Sequence, residues 1–152
     1  MSIEERLKEL GVELLPPPKP VASYVPVVVS GRVAFLAGQG AIVDGEVMYP
    51  GHVGAEVTID QANEAARRCG LQALAALKEE LGSLDRVSRI VNLTVYVSSA
   101  PGFTQQPVVA NGASDLLIEV FGEAGRHART AVGVPELPLN LCVEVSVIAE
   151  VD

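Results

Sequence analysis

The sequence has few of the residues that build disulfides or metal sites. It contains two cysteines, two histidines and no tryptophan among its 152 residues. Cys69 and Cys142 lack a CxxC partner, and neither stands at metal-ligand spacing from His52 or His127. We therefore expect two buried thiols, with no disulfide and no metal site.

Basic residues are also scarce. Eleven lysines and arginines stand against 19 acidic residues, which gives a net charge of −8 at pH 7. A nucleic-acid surface needs clustered positive charge, and the basic cluster in this sequence is Arg67-Arg68, within a helical pattern. The composition therefore predicts no nucleic-acid partner.

Long apolar runs are missing as well. No run approaches the roughly 18 residues of a membrane helix, and the charged first ten residues are unlike a secretory signal. We expect a cytoplasmic protein with no membrane partner.

Hydrophobic residues nevertheless form 49% of the sequence. A single small domain cannot bury that much apolar surface, which predicts an oligomer.

The first 20 residues are predicted to form a helix and a connector. Ser2 to Glu5 has the pattern of a capping box, and Gly11 ends the helical stripe that follows. The prolines between Leu14 and Pro20 impose an extended backbone. We therefore divide the chain into residues 1–20, an N-terminal helix and proline-rich connector, and residues 21–152, a single domain.

Helical and strand patterns follow one another within this domain. Strand patterns occupy residues 25–37, 86–97 and 141–151. A capping box at Thr58 opens a long helix that ends near Leu81, and Thr104 is the predicted cap of a second long helix. This order predicts an α+β fold, with two long helices on one face of a mixed sheet. The other face then needs cover from another subunit, or from strands that curl toward a barrel.

Glycines interrupt these patterns at two places. Gly38-Gln39-Gly40, at the end of a strand, suits either a structural bulge or a ligand that approaches the backbone. Asn111-Gly112 lies inside a helix, where glycine costs about 1 kcal/mol relative to alanine. Close packing and function explain this second pair equally well.

Arg129 and Glu144 are the side chains best suited to chemistry. They lie on two predicted strands joined by a proline-rich turn, and one shared pocket is our hypothesis. The arginine fork binds a carboxylate through two parallel bonds, and a glutamate orients or deprotonates a water. A surface ion pair for Arg129 and a solvated position for Glu144 are the alternatives. Tyr24 suits packing or a pocket wall, and His127 is either incidental or a proton shuttle.

Several short motifs make the chain resemble a known family between residues 21 and 151. The motifs are Ser23-Tyr24, Ala37-Gly38-Gln39, Asn111, Ala128-Arg129, and Leu137-Pro138 followed by Val143-Glu144-Val145. Together they resemble the RidA (YjgF) family of enamine/imine deaminases. The resemblance implies a chorismate-mutase-like α+β fold, here with an extra short N-terminal helix, that assembles as a homotrimer with pockets between subunits.

The resemblance also implies an activity and a set of site residues. Members hydrolyse reactive 2-enamine or 2-imine acids to a 2-keto acid and ammonia, without metal or organic cofactor. By this resemblance Arg129 holds the substrate carboxylate, Glu144 positions the attacking water, and Tyr24 lines the pocket from a neighbouring subunit. Gly38 and Asn111 shape its walls. A non-catalytic protein that binds small carboxylate metabolites in the same pocket is the alternative function.

The chain departs from the usual family pattern at three positions near this pocket. Ala37 stands where serine is usual, His127 where proline is usual, and Ala131 where cysteine is often found. These changes predict a divergent branch of the family.

Overall fold

The computed structural model describes residues 1–20 and 22–152, and the domain boundary predicted at Val21 lies outside the described residues. The helices are α1 (Ile3–Glu9), α2 (Ile59–Leu81) and α3 (Gln106–Phe121). The strands are β1 (Val27–Ser30), β2 (Val33–Leu36), β3 (Gln39–Gly40), β4 (Ile42–Val43), β5 (Glu46–Val47), β6 (Val87–Ser98), β7 (Ala128–Val134) and β8 (Val143–Val151). Short 3₁₀ turns follow α2, α3 and β7.

The strands form one large sheet and one small hairpin. In the large sheet the order is β1-β2-β8-β6-β7, and β3 also pairs with β8. The β6–β7 pair is parallel and the others are antiparallel, so the sheet is mixed. Strands β4 and β5 pair with each other outside it. This arrangement, with α2 and α3 packed together, confirms the predicted α+β fold.

Small side chains let α2 lie close to its neighbours. One stripe of α2 at helical spacing is buried throughout and consists of Ala62, Ala66, Cys69, Ala73 and Leu77. The backbone of Gly112 in α3 approaches α2 so closely that an added Cβ would collide with the carbonyl oxygen of Asn63. Close packing therefore explains the glycine inside α3, since no side chain fits between the two helices there.

The structure has the predicted helix ends in α2 but not the predicted N-terminal cap in α3. Thr58 forms the predicted capping box, and Gly82 ends α2 in the left-handed conformation with φ of 83°. The prediction of Thr104 as the cap of α3 was wrong. Gln105 occupies that position and makes no side-chain cap bond.

Strand β6 departs from strict alternation. The register with β8 shifts between Ile90 and Asn92, which exchanges the buried and exposed positions. Ile90 is buried, whereas Val91 is 42% exposed, although strict alternation with the buried Leu93, Val95 and Val97 would place Val91 in the core. The irregularity carries one extra residue that no alternating pattern reveals.

Helix α1 packs against the domain. Leu7 is buried in the common core, Arg6 Nε donates to the carbonyl oxygen of Glu119 in α3, and Lys78 in α2 pairs with Glu4. Among the described residues, no helix has both the length and the apolar character needed to cross a bilayer.

The sheet face opposite α2 and α3 is apolar and open. In-register pairs place Val28 beside Phe35 and Phe35 beside Ile148 on this face. Val28 is 51% exposed and Phe35 46% exposed. A contiguous apolar surface of this kind is typical of an interaction site in a soluble protein.

Candidate active site

Arg129 lies on β7 and points toward α3. Its partner in β6 is the buried Leu93, so both side chains stand on the helix-covered face. The Nη1 atom donates to Asn111 Oδ1 at 2.7 Å and to Ser114 Oγ at 3.1 Å. The structure thus brings Arg129 and Asn111 together, and Asn111 anchors the arginine.

Nη1 has two hydrogens, and these two bonds use both of them. The Nε and Nη2 atoms form the opposite edge of the guanidinium. Within residues 1–20 and 22–152 this edge donates no hydrogen bond, and the side chain is exposed. An edge with two parallel N–H groups matches the two oxygens of a carboxylate.

His127 and Ser114 lie behind this anchor. Ser114 Oγ is 2.9 Å from His127 Nε2, and His127 Nδ1 is 2.7 Å from the carbonyl oxygen of Gly125. A carbonyl oxygen only accepts, so Nδ1 carries the hydrogen, and a neutral imidazole then accepts at Nε2 from the Ser114 hydroxyl. Sequence reasoning missed Ser114. Its spacing of three residues from Asn111, on one face of a helix, was the available signal.

Glu144 lies on β8 and faces the open side of the sheet. It pairs with Tyr96 of β6 and is half-buried. Burial raises the pKa of this carboxyl, because the charged form loses hydration. A carboxyl with a raised pKa is a better proton acceptor once ionised, which suits a general base.

Gly38 gives Glu144 the space that it occupies. A Cβ added at Gly38 would lie 2.7 Å from Glu144 Oε2 and 2.9 Å from Cδ. Gln72 of α2 fixes the neighbouring backbone, since it donates to the carbonyl oxygen of Gly40 and accepts from the amide of Ile42. The absence of a Cβ at Gly38 therefore leaves the space that the Glu144 side chain fills.

A cavity of about 520 Å³ opens beside Glu144. Tyr24 and Gly38 line it together with Glu144, and Pro138, Leu139 and Leu141 provide an apolar wall. Tyr24 is 52% exposed, so its ring remains available for contact. The structure thus brings together Tyr24, Gly38 and Glu144, and here Tyr24 comes from the same chain as Glu144.

The two groups of residues do not meet within one chain. Arg129 pairs with Leu93 and Glu144 with Tyr96, and pairing is regular between Asn92 and Val97 of β6. Positions three apart on a regular strand face opposite sides of the sheet. A single chain therefore cannot bring Arg129 and Glu144 into one pocket, and the predicted shared pocket would need residues from two chains.

The cysteines do not contribute a nucleophile. Both are buried, as predicted, and burial raises the pKa of Cys142 to about 11 and that of Cys69 well above its usual value. A thiol that stays protonated is inert. No group of three or more histidine, cysteine or acidic side chains suited to a metal occurs in the part of the chain that the structure describes.

Comparison with known proteins identifies relatives along nearly the whole chain. The model of the family described as "YjgF/chorismate_mutase-like, putative endoribonuclease" matches residues 4–151. Protein TCP17 of Trypanosoma cruzi is 44% identical over 151 residues, which cover 99% of this chain and 94% of that protein. The RutC family protein PH0854 of Pyrococcus horikoshii is 27% identical over 139 residues, and this match covers 87% of this chain and 90% of that protein.

A solved structure shows the same fold. The Atu1372 protein of Agrobacterium tumefaciens, whose crystal structure was described with unknown function, is 42% identical. The two structures superimpose with a TM-score of 0.91, and the match covers 99% of this chain and 92% of the Atu1372 chain. From the family match, the close relatives and the mixed sheet with its helices on one face, the chain belongs to the YjgF/chorismate-mutase-like family.

Proposed function

We propose that this protein is a hydrolytic deaminase of reactive 2-enamine and 2-imine acids, which yields a 2-keto acid and ammonia. The observation that carries the proposal is the geometry of Arg129. Its Nη1 atom is bound to Asn111 and Ser114, while the Nε and Nη2 edge is directed away from them. A guanidinium held in this way is prepared to bind the carboxylate of such a substrate.

The proposed assembly is a homotrimer with sites between subunits. Arg129 and Glu144 face opposite sides of one sheet, so a site that uses both needs two chains. The exposed Val28 and Phe35 give the open face an apolar surface for a second copy to cover. Arg129 of one subunit would then face the Tyr24, Gly38 and Glu144 cavity of its neighbour.

The proposed reaction uses these groups in sequence. Arg129 binds the carboxylate and orients the imine carbon toward Glu144 of the neighbouring subunit. The Glu144 carboxylate accepts a proton from water as the water oxygen bonds to that carbon, and the resulting carboxylic acid returns the proton to nitrogen. In the resulting carbinolamine, Glu144 takes the proton of the new hydroxyl and passes it to the nitrogen. As the C–N bond breaks, the nitrogen leaves as ammonia and the carbonyl of the 2-keto acid forms. No metal or organic cofactor takes part in this scheme.

A binding protein for small carboxylate metabolites is the second candidate. The apolar wall of Pro138, Leu139 and Leu141 favours it, since such a lining holds a ligand without any chemical step. RNA cleavage, which the family description mentions, is not part of our proposal. A net charge of −8 opposes binding to a polyanion.

The test compares two variants with wild-type protein. In an assay of ammonia release from enzymatically generated 2-iminopropionate, Arg129→Ala and Glu144→Gln are both expected to abolish the protein-dependent rate. Arg126→Ala is the matched control, because Arg126 is exposed and pairs with Glu123 at the surface. Wild-type protein that releases ammonia no faster than buffer would refute the deaminase proposal. Stabilisation by pyruvate that needs Arg129 but not Glu144 would then support the binding protein.

A further inference from the structure

We infer that Ser114 and His127 are positioning residues, which fix the guanidinium of Arg129 so that its Nε and Nη2 edge receives a substrate carboxylate. The inference rests on the proposed function for the identity of the ligand. Neither residue is part of the proposed carboxylate contact itself, and His127 stands directly before Ala128-Arg129 in the sequence.

The first support is the continuous set of hydrogen bonds. Arg129 Nη1 donates to Ser114 Oγ at 3.1 Å, Ser114 Oγ lies 2.9 Å from His127 Nε2, and His127 Nδ1 lies 2.7 Å from the Gly125 carbonyl oxygen. Every donor along this path meets one acceptor. Ser114 accepts from the arginine and donates to the histidine, so its single hydrogen has one defined direction.

The second support is the difference in burial along this path. Ser114 is 6% exposed and Gly125 is buried, whereas Arg129 is exposed on an edge strand. An exposed arginine samples many rotamers, and ordering it costs free energy at the moment of binding. A bond to a buried hydroxyl, itself held by an imidazole fixed to the backbone, provides that order before the ligand arrives.

Both hydrogens of Arg129 Nη1 are already used in hydrogen bonds, and this restricts how the guanidinium can move. Asn111 and Ser114 take its two hydrogens, so rotation about the Cζ–Nη1 bond or the side-chain torsions would break at least one bond. The Nε and Nη2 atoms then project from a fixed plane. Loss of Ser114 leaves Asn111 as a single anchor, about which the guanidinium can swing.

Two substitutions at His127 separate the loss of the hydrogen-bond acceptor from the loss of the imidazole ring. His127→Leu removes the acceptor for the Ser114 hydroxyl, while His127→Gln keeps an acceptor oxygen in its place. Ser114→Ala removes the bond to Arg129 directly. Ser83→Ala is the control, since the Ser83 hydroxyl accepts from the amide of Asp85 in a distant 3₁₀ turn.

The first measurement needs no ligand. Nitrogen-15 relaxation of the Arg129 Nε–H group reports how rigidly the guanidinium is held. We expect its order parameter to fall in Ser114→Ala and His127→Leu, and to stay at the wild-type value in His127→Gln and Ser83→Ala. An unchanged order parameter in both Ser114→Ala and His127→Leu would overturn the inference.

The second measurement is the affinity for pyruvate, determined by calorimetry. We expect Ser114→Ala, which loses a bond to a charged group, to bind about tenfold more weakly. His127→Leu, which leaves the buried Ser114 hydroxyl without its acceptor, should weaken binding in the same direction. In the ammonia assay the same variants should raise KM, with kcat changed less than about twofold, because Glu144 is untouched. Wild-type affinity in both variants would overturn the inference. Absence of pyruvate binding by wild-type protein would count against the proposed function, and the relaxation experiment would still decide on Ser114 and His127.

Discussion

Substitution of Gly38 by alanine tests the position of Glu144 without changing any ionisable group. The backbone accepts the change, because Gly38 does not have the positive φ found at other glycines of the chain. The new Cβ would lie 2.7 Å from Glu144 Oε2, whereas ordinary contacts begin at 3.4 Å, so the carboxylate must move by about 0.7 Å. The end of a flexible side chain can make this movement, and the fold should remain intact.

The expected effect is on kcat. Misplacement of a catalytic group by about 1 Å costs up to roughly 100-fold in rate, so a shift of about 0.7 Å should lower kcat about 10- to 100-fold. That corresponds to about 1.4 to 2.7 kcal/mol of transition-state stabilisation. KM should change less than about threefold, since in the proposed site Arg129, and not Glu144, binds the substrate carboxylate. The assay is steady-state ammonia release from 2-iminopropionate, with the melting temperature measured in parallel.

A double-mutant cycle gives the control. In a Glu144→Ala background there is no carboxylate to displace, so addition of Gly38→Ala should change the residual rate by less than about twofold. A kcat for Gly38→Ala that stays within about twofold of wild type would refute the assignment of Gly38. An equal loss from Gly38→Ala in both backgrounds would refute it as well.

Three further predictions concern stability and assembly. Glu144→Gln should raise the melting temperature at pH 7, because burial raises the pKa of Glu144 in the folded protein above its pKa in the unfolded chain. Wild-type stability is therefore greatest below the pKa of the unfolded chain, and it falls as the pH rises through the pKa of the folded protein. Calorimetry from pH 4 to pH 8 should show this gain growing with pH, and a gain that is constant with pH would contradict it. Gly112→Ala should lower the free energy of unfolding by about 1–3 kcal/mol in urea melts despite better helix propensity, because its Cβ meets the Asn63 backbone. Gly70→Ala, whose Cβ meets mainly the Leu116 side chain, should cost less, and equal losses would argue against the backbone collision. Phe35→Glu should turn an oligomer into monomers in light scattering, since it places a charge on the open apolar face, and an unchanged mass would place the interface elsewhere.

Much of the fold could be predicted because local rules decide it. The Thr58 capping box, Gly82 at the end of α2 and the alternation of β8 are all contained in short stretches of sequence. The start of α3 and the irregularity after Ile90 could not be predicted in this way. Both depend on how distant segments pack, and that information is not local.

The candidate site was predictable by residue type but not by arrangement. An arginine and a glutamate on adjacent predicted strands suggested one pocket, yet their strands lie on either side of β6, and the register sets them on opposite faces. A one-residue change in register would have reversed this result, and no sequence pattern fixes the register that finely. Ser114 was missed for a related reason, because its role appears only when α3 is placed against β7.

The proposed site takes Arg129 and Glu144 from different chains, and subunit mixing tests this arrangement most directly. Arg129→Ala and Glu144→Ala proteins, each inactive alone, are unfolded together, refolded, and checked for mixed trimers by native mass spectrometry. In mixed trimers some sites combine an intact arginine from one variant with an intact glutamate from the other, so the ammonia assay should recover about a quarter of the wild-type rate. Mixed trimers that remain as inactive as the separate variants would contradict a site shared between chains.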